Sequence, residues 1–197
     1  MPFSYPVFLD LTGRRAVVIG SLALRERKDV ALRDAGAVVE VFANGAWTPS
    51  DLDGAFIVVA SSDDATERDA IADAARERGA LVNVMDDVPN CDFAAPAIVR
   101  RGDLAIAIGT GGRSPAIARK VREELEERYG PEWGEVLEIV GEVRAETVAE
   151  LPDLRVRAAR WHRALDLDEA AALVRAGRGV ELRRRLVERL LPEEVVA

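Results

Sequence analysis

The chain has 197 residues, 49% of them hydrophobic, with a single cysteine, a single histidine and a formal net charge of −8. That length and apolar content suffice for a buried core and exclude whole-chain disorder, while no uncharged apolar run approaches the roughly 20 residues a membrane-spanning helix requires. A lone Cys91 and a lone His162 exclude an internal disulfide and a Cys/His metal cage, and the acidic balance argues against nucleic acid as a partner.

The opening segment Met1–Pro6 carries neither the basic nor the apolar region of a signal peptide, so a cytoplasmic location is expected. Next, Arg14-Arg15-Ala16-Val17-Val18-Ile19-Gly20 is a β-branched run ending in glycine, and Leu24 to Ala35 is rich in helix formers without internal Gly or Pro. Gly36 then stops the helix and Val38–Phe42 is β-rich, which completes a β-α-β unit of about 30 residues with parallel strands and a right-handed crossover. A polar loop around Asn44-Gly45 and Thr48-Pro49-Ser50 leads to Ala55–Ala60, whose unbroken apolar run predicts a strand buried on both faces. Asp63 or Asp64 caps a helix running to about Arg78, with Ile71 and Ala75 inward and Glu67, Arg68 and Glu77 outward, and Leu81–Val84 is a fourth strand.

Two short strands, Ala97–Arg100 and Leu104–Ile108, flank a turn at Gly102-Asp103. From Ser114 the pattern is helical, with Ser114 as cap, Pro115 in the first turn and Ile117, Val121 and Leu125 at four-residue spacing. Pro131, Pro152 and the Gly177/Gly179 pair divide the remainder into three or four helices. The expected fold class is α/β: a Rossmann-like parallel sheet with helices on both faces, then a small β segment and a helical C-terminal dimerisation region. The boundary is set at 112, giving a dinucleotide-binding domain over 1–112 and a helical region over 113–197. The tail after Pro131 shows few inward-facing residues per helix, so it is expected to pack against a second copy in a homodimer.

Three motifs bear on chemistry. In a dinucleotide-binding turn, glycines let the backbone approach a pyrophosphate held on a helix N-terminus. Here Gly20 is followed by Ser21 and Leu22, with Arg25 where a small residue belongs, so a turn that binds no nucleotide fits the residues equally well, although Arg25, Arg27 and Lys28 offer phosphate contacts. Met85-Asp86-Asp87 lies just past a buried strand, where open α/β sheets place their ligand crevice. Adjacent carboxylates resist double ionisation, so a partly buried one should have a raised pKa and serve as a base; turn or cap aspartates are the plainer alternative. Thr110-Gly111-Gly112-Arg113-Ser114-Pro115 runs into a helix N-terminus, which suits a carboxylate or phosphate, or else simply caps the helix. His162 receives no role. Trp47, Trp133 and Trp161 are read as core or subunit contacts, and Arg183-Arg184-Arg185 beside Glu181 and Glu188 as a solvated face.

Taken in order, Tyr5-Pro6-Val7-Phe8-Leu9-Asp10-Leu11, Ala60-Ser61-Ser62-Asp63-Asp64, Val82-Asn83-Val84-Met85-Asp86-Asp87, Cys91-Asp92-Phe93-Ala94-Ala95-Pro96-Ala97 and Gly109-Thr110-Gly111-Gly112-Arg113-Ser114-Pro115 resemble the siroheme-synthase N-terminal module, the precorrin-2 dehydrogenase and sirohydrochlorin ferrochelatase family. The resemblance implies NAD-dependent oxidation of precorrin-2 to sirohydrochlorin, with ferrous iron (Fe2+) as a transient substrate if chelation follows and no permanent metal ligands. It assigns Asp86 as the catalytic carboxylate, places the cofactor on Gly20, Ser21, Leu22, Ala43, Ser61, Ser62 and Asn83, and gives Thr110, Gly111, Gly112, Arg113, Ser114 and Arg119 to the carboxylates of the tetrapyrrole substrate. The family's first loop reads Gly-Gly-Gly where this chain has Gly20-Ser21-Leu22, and its connection after Phe42 is longer. An alternative reading follows from that loop: a non-catalytic or chelatase-only tetrapyrrole-binding relative that has lost NAD.

Overall fold

The structure is a computed structural model that describes residue 3 and residues 5–191; Met1, Pro2 and Ser4 of the opening segment lie outside the described residues. It divides into two compact units, Met1–Ala95 and Pro96–Ala197. The division falls ahead of the expected boundary at 112, because the hairpin over 97–108 packs with the helices that follow it.

In the first unit, four parallel strands, β1 (Arg15–Ile19), β2 (Val38–Phe42), β3 (Ile57–Ala60) and β4 (Leu81–Val84), form a sheet in the order β2-β1-β3-β4. Ala16, Val17, Val18 and Ile19 are fully buried, as an apolar run between two covered faces requires. Their alternation sorts them. Val17, Ile19, Val58, Ala60, Val82 and Val84 pack with Ile71, Ala72 and Ala75 of α2 (Ala65–Glu77), whereas Ala16, Val18, Ile57 and Val59 pack with Leu24 and Leu32 of α1 (Leu22–Asp34). One helix thus covers each face, the doubly wound arrangement.

The helix α1 begins two residues earlier than the sequence pattern suggests, because Ser21 caps it by accepting from the Leu24 N–H at 3.4 Å. It ends where expected: Gly36 adopts φ 86°, and its N–H and that of Ala37 bond back to Arg33 and Leu32 carbonyls at 2.8 and 3.0 Å. The helix α2 is capped by Asp64, whose carboxylate accepts from the Thr66 N–H at 2.8 Å. Between β2 and β3 the chain makes only a 3-10 turn at Pro49–Leu52, which buries Leu52 completely against the α2 side of the core. With no strand beyond it among the described residues, β2 is an edge, and Val38 and Val41 stay exposed.

The second unit opens with an antiparallel hairpin, β5 (Ala97–Arg101) and β6 (Leu104–Ile108), followed by α3 (Pro115–Arg128), α4 (Trp133–Thr147), α5 (Leu154–Ala164), α6 (Leu167–Arg175) and α7 (Gly179–Leu190). Contrary to the expectation of a tail without a core, Trp133, Val136, Val143, Ala164, Ala170, Ala171, Leu173, Val174, Leu182, Leu186 and Leu190 form one buried cluster. Three of these are alanines. Small side chains let helices approach closely, and each helix needs to supply only a few inward residues when four helices share them. Around it, Arg183, Arg184 and Arg185 pair with Glu146, Glu188 and Glu169, the mixed-charge face that the sequence suggests.

Among the described residues no helix is long and apolar enough to cross a membrane.

Candidate functional site

The carboxyl ends of β1 and β3 are where the strand order reverses, since β1 leads outward to β2 and β3 leads the other way to β4. Such a switch point opens a crevice between diverging loops. Here it is a cleft of about 710 Å³ lined by Ser21, Ala23, Leu24, Arg27, Asn44, Ser61, Ser62, Asp63, Arg68, Met85 and Asp86. Every strand contributes through the loop that follows it.

Gly20 makes the floor possible. A Cβ there would lie 2.7 Å from Leu24 Cδ2 and 3.2 Å from the Ser61 carbonyl oxygen, so only glycine lets β1 turn into α1 this close to the end of β3. Of the residues that the resemblance assigns to the cofactor, Ser21, Ser61 and Ser62 line the cleft with Gly20 beneath them. Leu22 does not: it is 61% exposed and lies outside the lining. Ala43 yields its place to Asn44. Asn83 is buried and already satisfied, with its amide donating to the Phe93 carbonyl at 2.8 Å and to Cys91 Sγ at 3.5 Å; it pins the chain after β4 rather than facing the cleft. Arg25 is half-buried with its Nε unpartnered among the described residues, and also lies outside the lining.

The two adjacent aspartates separate sharply. Asp87 Oδ2 accepts from Arg68 Nε at 2.9 Å and from Asn90 Nδ2 at 3.1 Å, and the Arg68 bond, with that of Asn90, holds its carboxyl below the usual range. The expectation that a half-buried member of the pair would be raised therefore fails for Asp87, because the Arg68 guanidinium and the Asn90 amide outweigh burial. Asp86 has no hydrogen bond or ion pair among the described residues and stands exposed at the rim of the cleft. Its backbone adopts φ 62°, which only it and Phe3 do among non-glycine residues described. Aspartate tolerates this left-handed conformation better than most residues, and such positions cluster at functional sites.

Arg27 and Arg68 also line the cleft, and Glu67 braces the loops beside it. The sequence offers Arg27 as a phosphate contact; among the described residues its guanidinium has no carboxylate partner, and its side-chain hydrogen bond goes to Met85 Sδ at 3.7 Å. Glu67 and Arg68, expected to face outward, fold back over the loops instead. Arg68 Nη1 donates to the Ser62 and Asp63 carbonyls at 2.9 and 3.3 Å. Glu67 Oε1 accepts from the Gly45 N–H and Trp47 Nε1, and Oε2 accepts from the Ser62 hydroxyl. Burial raises the Glu67 pKa, but these three donors outweigh it and leave the group below its ordinary value. Helical periodicity cannot reveal such contacts, since they depend on loops that the first turn of α2 happens to meet.

In the second unit, Ser114 caps α3 by accepting from the Ile117 N–H at 3.2 Å, and its own N–H donates to Thr110 Oγ1 at 3.3 Å. Gly111 and Gly112 take φ 61° and 76°, so the loop curls before the helix. Arg113 is exposed. Arg119 lies in a separate hollow of about 350 Å³ along α3, with Pro115, Ala116, Lys120 and Glu123; the other five assigned loop residues do not line it. Cys91 is a free thiol whose Sγ donates to the Val84 and Asp87 carbonyls, and burial pushes its pKa up. No group of three or more His, Cys, Asp or Glu is placed to hold a metal among the described residues.

Comparison with known proteins adds a second line. Residues 7–97 match a family model described as NAD(P)-binding, and residues 101–128 match one described as sirohaem biosynthesis protein central. Siroheme synthase 1 of Pectobacterium atrosepticum is 34% identical across 96% of this chain, and a siroheme synthase of Pseudomonas paraeruginosa is 33% identical across 94%. This chain belongs to the siroheme-synthase N-terminal module family. It spans less than half the length of those curated relatives, 43% and 44% respectively. The module's fold is also that of the solved structure of SirC, a precorrin-2 dehydrogenase, with a TM-score of 0.61 at 20% identity over 94% of this chain and 98% of that one.

Proposed function

We propose that this module is an NAD-dependent precorrin-2 dehydrogenase that forms sirohydrochlorin in siroheme biosynthesis. The observation that carries the reading is the cleft at the switch point of the sheet, with Asp86 free of partners on a left-handed turn at its rim. The residues fit a dinucleotide: Gly20 keeps the floor low, Ser21 and Ser61 present hydroxyls, and Arg27 supplies a cation where the family's extra glycines supply backbone N–H groups. When bound, NAD⁺ supplies the hydride acceptor.

Loss of hydride from the macrocycle must be matched by loss of a proton, and Asp86 is the carboxylate placed to take it. Its freedom from Arg68 matters here. Asp87, tied to that guanidinium and held below the usual carboxylate range, is the weaker base, so the pair divides into a base and an anchor. In the second unit we assign Thr110, Gly111, Gly112, Arg113, Ser114 and Arg119 to the substrate's carboxylates, on charge and loop chemistry. Ferrous iron enters as a substrate, with Asp86 also receiving pyrrole N–H protons as metal goes in. We further infer a cytoplasmic homodimer, supported by α3, which buries no residue fully and leaves Ile117 59% exposed. Light scattering at micromolar concentration checks it, and a monomer would count against it.

The alternative of a relative that has lost NAD draws its support from the first loop, Gly20-Ser21-Leu22. Anaerobic absorbance spectroscopy of precorrin-2 with NAD⁺ tests the reading: conversion to sirohydrochlorin is expected, and Asp86→Ala should slow it by about 10²–10⁴-fold. Absence of conversion by folded wild-type protein would overturn it in favour of chelation or tetrapyrrole binding alone.

A further inference from the structure

The side of the cleft beneath β2 has little regular structure to hold it. Between Phe42 and Ile57 the chain carries a 3-10 turn and no strand, and β2 has nothing beyond it among the described residues. Yet Asn44 from this connection lines the cleft together with Ser61 and Ser62. Only specific contacts can fix such a segment.

Glu67 makes them. Its carboxylate reaches from the first turn of α2 to the Gly45 N–H at 2.7 Å and Trp47 Nε1 at 2.9 Å on one side, and to the Ser62 hydroxyl at 2.6 Å on the other. The Trp47 ring packs against the core, so the clamp is anchored at its far end. The next residue, Arg68, performs the matching task toward β4 by holding Asp87 and the Ser62 and Asp63 carbonyls. Two successive side chains of α2 therefore tie down opposite banks of one cleft.

We propose that Glu67 is a positioning residue for the dinucleotide: it holds the short β2–β3 connection against the β3–α2 turn, so that Asn44, Ser61 and Ser62 form a ready-made wall for the cofactor. The proposal rests on the dehydrogenase reading above. It does not place Glu67 in contact with the cofactor. A wall that must be ordered on binding weakens affinity without altering the chemical step, so its loss appears in KM and not in kcat.

The test compares Glu67→Ala with Glu67→Gln, since glutamine keeps an acceptor for Gly45 and Trp47 and can donate to Ser62. Glu67→Ala is expected to raise KM for NAD⁺ at least about tenfold while kcat at saturating NAD⁺ stays within about twofold, and Glu67→Gln to stay within about threefold of wild type in both. The alanine variant should also red-shift tryptophan emission, a shift abolished in a Trp47→Phe background. Trp47→Phe alone, which removes one donor from the other side, should raise KM in the same direction by less, and serves if Glu67→Ala does not fold. An unchanged KM in a folded Glu67→Ala, or a glutamine variant as impaired as alanine, would overturn the clamp. Wild-type protein without NAD⁺-dependent turnover would instead overturn the dehydrogenase reading, an outcome that no Glu67 variant can imitate.

Discussion

In the first unit the core stands in unbroken strand runs, Ala16–Ile19 and Ile57–Ala60, every residue of which is 4% exposed or less. In the second unit the core is gathered from separate helices, with Leu182, Leu186 and Leu190 contributed by α7, Ala170 and Ala171 by α6, Val136 and Val143 by α4, and Ala164 by α5. A parallel sheet covered on both faces writes its burial as consecutive apolar residues, which a reader of the sequence sees at once. A helical cluster writes it at intervals of three and four and shares it among elements, so no single helix looks apolar enough. The charged groups differ as well: around the cleft of the first unit they hold loops, while in the second they lace helix to helix.

The comparison is tested most strongly by Leu186→Ala, which empties a fully buried position in the helical cluster and should cost about 2–5 kcal/mol. Calorimetry at several protein concentrations checks it. A cost independent of concentration means that the second unit owns its core, and a cost that fades at high concentration means that a second copy supplies part of it. Next in size, Gly20→Ala should cost about 1–3 kcal/mol by overpacking at Leu24 and the Ser61 carbonyl, and should raise KM for NAD⁺, so melting and kinetics must move together if the turn is both structural and functional.

The helical unit also carries an acid-sensitive lock. Arg189 Nη1 and Nη2 donate to the two Glu169 oxygens at 2.6 and 3.0 Å, Arg185 adds a further bond, and Arg189 first, then Arg185, bring the Glu169 pKa from 4.5 to about 2. A carboxyl depressed on folding binds its proton more tightly in the unfolded chain. Its stabilisation is therefore complete above about 4.5 and disappears as pH falls toward 2. Chemical denaturation of wild type and Glu169→Gln across that window should show a constant gap above 4.5 that closes below it. Smallest of all, Asp166→Ala removes the α6 cap that accepts from Asp168 and Glu169 N–H groups at 2.9 and 3.0 Å, and should cost about 0.5–2 kcal/mol in thermal melts.

The sequence by itself determined the first unit's strands and helices, because β-branched runs, a cap at Asp63 or Asp64 and the stop at Gly36 act within a few residues of chain, while the Ser21 cap that starts α1 two residues early came only with the structure. It also marked the Asp86-Asp87 pair, through its place just past a buried strand, and the family resemblance singled out Asp86. What only the tertiary structure decided is the division of labour around that residue. Asp87 is an anchor because Arg68, 19 residues away, reaches it, and Glu67 is a clamp because Gly45 and Trp47, more than 19 residues away, come within its reach. Asn83, given to the cofactor by the family resemblance, lies buried with its amide donating to the Phe93 carbonyl and Cys91 Sγ. The helical core was hidden for the same reason. Contacts that join distant segments leave no period in the chain, and they exist only once the fold has brought their partners together.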